Sequence, residues 1–145
     1  MTLLEVLLVL AIVGVLAAMA APRYGQASSR HRADLAARRV VADLCLAQTQ
    51  ARTASSFRTV LFSPALEQYQ VLGVSSPDGL PGDYTVALAA EPYGADLVSA
   101  IFNGVSQVVF NGWWLPDAGG TVVLSVGSQQ RTIVLEAATG RASIQ

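Results

Sequence analysis

The first 22 residues, MTLLEVLLVLAIVGVLAAMAAP, constrain this chain more than any other feature, because Glu5 is their only charged side chain. As a helix rising 1.5 Å per residue, the run reaches roughly 33 Å, enough for a bilayer core of about 30 Å. A carboxylate on a membrane helix costs about 2.5–3.5 kcal/mol on insertion scales, so one kept there marks a functional residue in need of a partner. The nearest cation is the α-amino group of Met1, of the same chain or of an adjacent one. The second pairing would turn an anchor into an assembly device. Thr2 and Glu5 also fit the S/T-x-x-E capping box, and a negative charge suits the positive end of a helix. The two roles are compatible.

A secretory signal peptide needs a basic segment ahead of its apolar stretch, and none precedes this one. Met1 is therefore expected to be a mature N-terminus left by removal of a leader. Gly14 and Pro22 are weak points in the run. Glycine disfavours helix by about 1 kcal/mol relative to alanine, and proline removes a hydrogen bond and crowds the preceding turn. The segment 14–22 is expected to be a continuous, bent helix in an isolated subunit. It is expected to be interrupted where packed neighbours can shelter broken backbone.

The remaining 120 or so residues suffice for one domain of ordinary size. A net charge of −1 supplies no strong field for nucleic acid or anionic lipid. All nine basic residues are arginine. Cys45 is the single cysteine, so no intramolecular disulfide can form; beside Val40, Val41, Leu44 and Ala47 it reads as a small buried hydrophobe. His31, the single histidine, reads as a solvated residue between Arg30 and Arg32. No Ser-His-Asp set and no Cys/His spacing for zinc is available, so no enzyme chemistry is expected. Asp78, Asp83, Glu91, Asp96 and Asp117 fall in expected loops at spacings that match no regular calcium loop. No cofactor or metal is expected.

Residues 28–54 lack Gly and Pro. Ala33, Ala37, Val40, Leu44, Ala47 and Ala51 recur every three or four residues, which predicts an amphipathic helix. Arg30, Arg32, Arg38, Arg39, Asp43, Gln48 and Arg52 form the face expected to be solvated. Joined to the apolar run, this gives one helix of roughly 50 residues. Seven strands are predicted at 57–63, 67–72, 84–88, 97–103, 107–111, 121–126 and 131–136 from their β-branched and aromatic content. Turn chemistry separates them, with Gly119-Gly120 read as a hairpin turn. The fold class is α+β: a long N-terminal, partly transmembrane helix packed on an antiparallel β-sheet domain. Three regions follow: a hydrophobic membrane or filament-core helix (1–25), an amphipathic continuation (26–55) and a β domain (56–145). Trp113 and Trp114, if on a strand, face opposite sides: one against the helix, the other on a possible contact surface.

The stretch MTLLEVLLVLAIVGVLAAMAAPRYGQ resembles the mature N-terminus of type IV pilins and type II secretion pseudopilins, with Met1 where phenylalanine is usual. The resemblance implies cleavage and N-methylation of Met1 by a prepilin peptidase. It further implies that Glu5 is the assembly glutamate and that Gly14 and Pro22 are helix-weakening positions. VVADLCLAQTQARTASSFRTVLF and VVFNGWWLPDAGGTVVLSVGSQQRTIVLEAATGRASI are similar to the GspH/FimT family. That family implies a non-enzymatic subunit stored in the bacterial inner membrane, with its globular domain outside the cytoplasm. From there it is drawn by an assembly platform into a periplasmic or extracellular filament. Its partners would be identical or homologous pilin subunits and, before assembly, membrane lipid. The alternative is a minor filament-tip subunit that recognises a secreted substrate or DNA. Basic residues near the C-terminus serve DNA in the FimT branch, and here Arg141 alone stands in that tail.

Overall fold

The computed structural model describes residues 2–77 and 82–145, and for 19–23 the backbone alone. Helix α1 spans Leu3–Thr53, 51 residues. Thr2 caps it in an extended conformation, its hydroxyl accepting from the Glu5 N–H at 3.4 Å, which is the threonine half of the expected capping box. The helix runs unbroken through Gly14 and Pro22. It stops in a Schellman turn: the Ser55 N–H reaches the Arg52 carbonyl and the Ser56 N–H the Ala51 carbonyl, with Ser55 at φ +47°.

The strands are β1 (Arg58–Ser63), β2 (Gln68–Ser75), β3 (Asp83–Ala87), β4 (Asp96–Phe102), β5 (Gln107–Phe110), β6 (Gly120–Val126), β7 (Gln129–Leu135) and β8 (Ala142–Ile144). They form two four-stranded antiparallel sheets, ordered β3-β2-β1-β5 and β4-β6-β7-β8, where the sequence suggested a single layer. β8 had not been expected. Helix α1 lies against both sheets. The sheets also meet each other: the rings of Phe62 on β1 and Phe102 on β4 stack 5.6 Å apart. The Glu67 carboxylate accepts from the Leu97 N–H across the same seam.

The buried face of α1 is the predicted stripe, with Ala36 added. Five of its buried residues are alanine, which brings the strands close to the helix axis, while Val40 and Leu44 each contribute about 1.5–3 kcal/mol of burial.

Four sequence readings need correction. Asp43 and Gln48 are buried, with 5% and 9% of their surface exposed, because the sheets and loops supply polar partners for them. Cys45 is exposed, since it points away from the stripe defined by Leu44 and Ala47. Gly119-Gly120 is not a hairpin turn: Gly120 starts β6 between β4 and β7, where an added Cβ would run into the Ile101 carbonyl oxygen and the Phe102 ring. Asp83 and Asp96 begin strands rather than sitting in loops. His31 is exposed as expected, and Asp78 lies outside the described residues. Among the described residues, no three His, Cys, Asp or Glu side chains gather as a metal site would need.

Candidate assembly helix and contact surface

Residues 3–18 of α1 are exposed along their whole length. The exposed side chains include Leu3, Leu4, Leu7, Leu8, Leu10 and Leu16, forming one continuous apolar surface around the helix. Soluble monomers rarely expose apolar patches above a few hundred Å². Glu5 stands within this surface, one turn from the N-terminus, with its carboxylate in solvent. Among the described residues, an added Cβ at Gly14 meets nothing within 4 Å, so no packing against them demands the glycine. The described apolar segment rises about 24 Å. Among the described residues, no helix is long and apolar enough to cross a membrane. Met1 lies outside the described residues, as does the side chain of Pro22.

The other candidate residues gather at the opposite end of the helix, about 75 Å away. Trp113 and Trp114 are not on a strand. They belong to the 111–119 loop that joins β5 to β6. The Arg52 guanidinium, from the last turn of α1, lies 4.6 Å from the centre of the Trp114 ring. Trp114 is thus the partner of the helix, while Trp113 projects outward with 86% of its surface exposed.

The loop is firmly held. The Asn111 side-chain oxygen accepts from the Trp113 N–H at 2.9 Å and the Leu115 N–H at 3.1 Å. Gln48 Nε2 donates to the Trp114 carbonyl at 2.6 Å and to the Thr139 carbonyl at 3.3 Å. One buried amide therefore ties two loops to α1. Gly140, at φ +67°, makes room for it, since a Cβ there would sit 2.8 Å from the Trp114 carbonyl oxygen and press on the Gln48 amide. Arg141 is exposed beside this junction and shares with Trp114, Gln48 and Cys45 a groove of about 310 Å³. On its other side Arg141 lines a groove with Glu136.

A buried polar cluster fixes how the helix sits on the first sheet. Asp43 Oδ2 accepts from the Tyr69 hydroxyl at 2.5 Å, the Tyr84 hydroxyl at 2.9 Å and Arg39 Nε at 3.1 Å. The Arg39 guanidinium also donates to the Tyr84 hydroxyl. Burial first, and then the Asp43 charge, push the Tyr69 phenol far above its ordinary range. Burial raises Tyr84 to about 12, against the pull of Arg39.

Sequence reasoning named both tryptophans and Arg141 as candidates, but it placed Gln48 and Arg52, which position them, on the solvated face and did not single out Asn111 or Gly140. Gln48 follows Leu44 by one helical turn, so its place on the stripe was readable. The Asn111-Gly112 pair was a turn signal.

The family model described as "Type II transport protein GspH" matches residues 36–139, well over half of the chain. Two crystal structures of the Pseudomonas aeruginosa type IV minor pilin FimU are similar to it in fold. One matches at 12% identity and a TM-score of 0.55, covering 80% of this chain and 90% of that one. The other crystal form matches at 13% identity and a TM-score of 0.54, covering 77% of this chain and 91% of that one. No curated protein sequence matches.

Proposed function

Because this chain belongs to the GspH family of type II transport proteins, we propose that it is a minor, non-enzymatic subunit of a type II secretion pseudopilus or type IV pilus. It is stored in the inner membrane by its N-terminal helix, with the β domain outside the cytoplasm, and polymerises through that helix. One observation carries this reading: residues 3–18 form an apolar helix that no other described residue of the chain covers. Lipid before assembly and the helices of homologous subunits afterwards supply what is missing. The likeness to FimU supports the pilin-like architecture. Residues 1–25 form the membrane and filament-core part, 26–55 the link into the domain, and 56–145 the domain itself.

In this reading a prepilin peptidase exposes and methylates Met1, and the Glu5 carboxylate of one subunit pairs with the α-amino group of the next. Removing one partner of a buried charge pair costs about 3–5 kcal/mol, enough to stop polymerisation without affecting insertion. Gly14 and Pro22 let the helix unwind locally where neighbours pack around it. DNA recognition has less support, because Glu136 flanks Arg141. The test is Glu5→Ala, with membrane fractionation and filament yield measured together. Normal insertion with filament yield reduced at least tenfold is expected. Normal yield would leave Glu5 with only its place at the helix cap.

A further inference from the structure

We propose that the groove between the C-terminal turn of α1 and the 111–119 loop binds an oligosaccharide of gluco configuration, stacked on the Trp113 indole. A single exposed aromatic is ordinary, but this one is presented by strained backbone. Trp114 holds φ +73°, a region that bulky residues avoid. Asn111 and Gln48 over-determine that conformation through the hydrogen bonds described above. Strain maintained in this way gathers at ligand-binding sites.

The groove has a volume of about 350 Å³, within the range of small-molecule clefts. Its lining is Ser55, Ser56, Phe57, Asn111, Gly112 and Trp113. Phe57, 73% exposed, adds a second aromatic ring to the lining. Gly112 keeps the groove open at its base, where a Cβ would come 3.3 Å from the Ser55 Cα. The Schellman turn at Ser55 forms the opposite wall.

Hydroxyls, a carboxamide and two aromatic rings line the groove, with no ionisable side chain among them. A pyranose of gluco configuration carries its hydroxyls around the ring edge and its axial C–H groups on the ring faces. Those C–H faces suit the electron-rich face of an indole, and the edge hydroxyls suit Ser and Asn. Single-stranded nucleic acid also stacks on aromatics, but it needs cationic side chains along its phosphates. Two guanidiniums border the groove and both are engaged, Arg52 over Trp114 and Arg58 with the Ser56 hydroxyl at 2.8 Å and the Phe57 carbonyl at 2.9 Å. A protein partner needs about 800 Å² on each side around an apolar centre, and here the apolar surface is two separated rings. The groove lies at the opposite end of α1 from residues 3–18, so packing of that segment leaves it open. The proposal is independent of the filament reading.

The full chain would be held in a detergent with no sugar headgroup and titrated calorimetrically with cellohexaose and chitohexaose. Saturable binding of at least one is expected. Trp113→Ala should weaken it about tenfold or more, and Trp113→Phe should stay within about threefold of the native chain. Leu66→Ala, exposed on the Pro64–Leu66 turn, should bind as the native chain does. If Trp113→Ala loses its native circular dichroism, Phe57→Ala carries the same test. Failure to bind either oligosaccharide, undiminished binding by the Trp113 and Phe57 variants, or displacement of the sugar by oligothymidylate would overturn the proposal.

Discussion

Replacing Asp43 by alanine should be among the most damaging single changes in the β-packed part of this protein. The carboxylate is 5% exposed and accepts from two tyrosine hydroxyls that are themselves buried. After truncation both phenols keep their burial and lose their acceptor. Each unsatisfied buried donor costs about 1–3 kcal/mol. Arg39 is a third exposed, so its side of the ion pair adds little. The sum is a loss of about 2–6 kcal/mol, spanning the range for breaking a buried polar cluster from one side. At about 3 °C per kcal/mol for a chain of this size, Tm should fall by about 6–18 °C. Asp43→Asn keeps one acceptor oxygen and should lose about 1–2 kcal/mol. Thermal unfolding of the full chain in micelles, followed by circular dichroism, measures both. If Asp43→Ala costs less than about 1 kcal/mol, an ordinary surface effect, the cluster does not hold the helix to the sheet.

Gly140→Ala should lower stability by about 2 kcal/mol, because it adds a left-handed backbone penalty to a clash at the Gln48 junction. An unchanged urea midpoint would refute that packing. Tyr69 and Tyr84 have raised pKa values in the folded chain, so their contribution is complete below the ordinary phenol value of 10.0 and is lost as pH rises. For Tyr84 the loss extends to about 12. Tm should therefore decline from pH 10 upward, and Tyr84→Phe should flatten the decline; an alkaline limb identical in the variant would refute the coupling.

The long helix was legible because alanine and leucine at helical spacing leave no rival period, and the strands because β-branched runs alternate between turn residues. The split into two sheets was not legible. β5 returns to pair with β1, and β4 skips past it to pair with β6; such pairings are set by contacts distant in sequence. β8 was missed because three residues after Gly140 carry too little pattern. Asp43 and Gln48 were read as solvated because residue type alone does not reveal Tyr69, Tyr84 and the Trp114 carbonyl waiting across the interface. Cys45 was misread for the opposite reason: its apolar character suggested burial, but the helical angle turns it outward. Glu5 stood out early because it is a charge in an apolar run, and Trp113 because two adjacent tryptophans on a strand would leave one of them facing outward.

The central claim is that residues 3–18 of this chain meet the same region of neighbouring subunits. Photo-crosslinking in intact cells tests it most directly, with benzoyl-phenylalanine placed at Leu8 or, as a control, at exposed Leu66. Crosslinks from position 8 to the N-terminal segments of homologous subunits, abolished by Glu5→Ala, are the predicted result. Crosslinks at position 8 to lipid alone, with subunit crosslinks only at position 66, would contradict it.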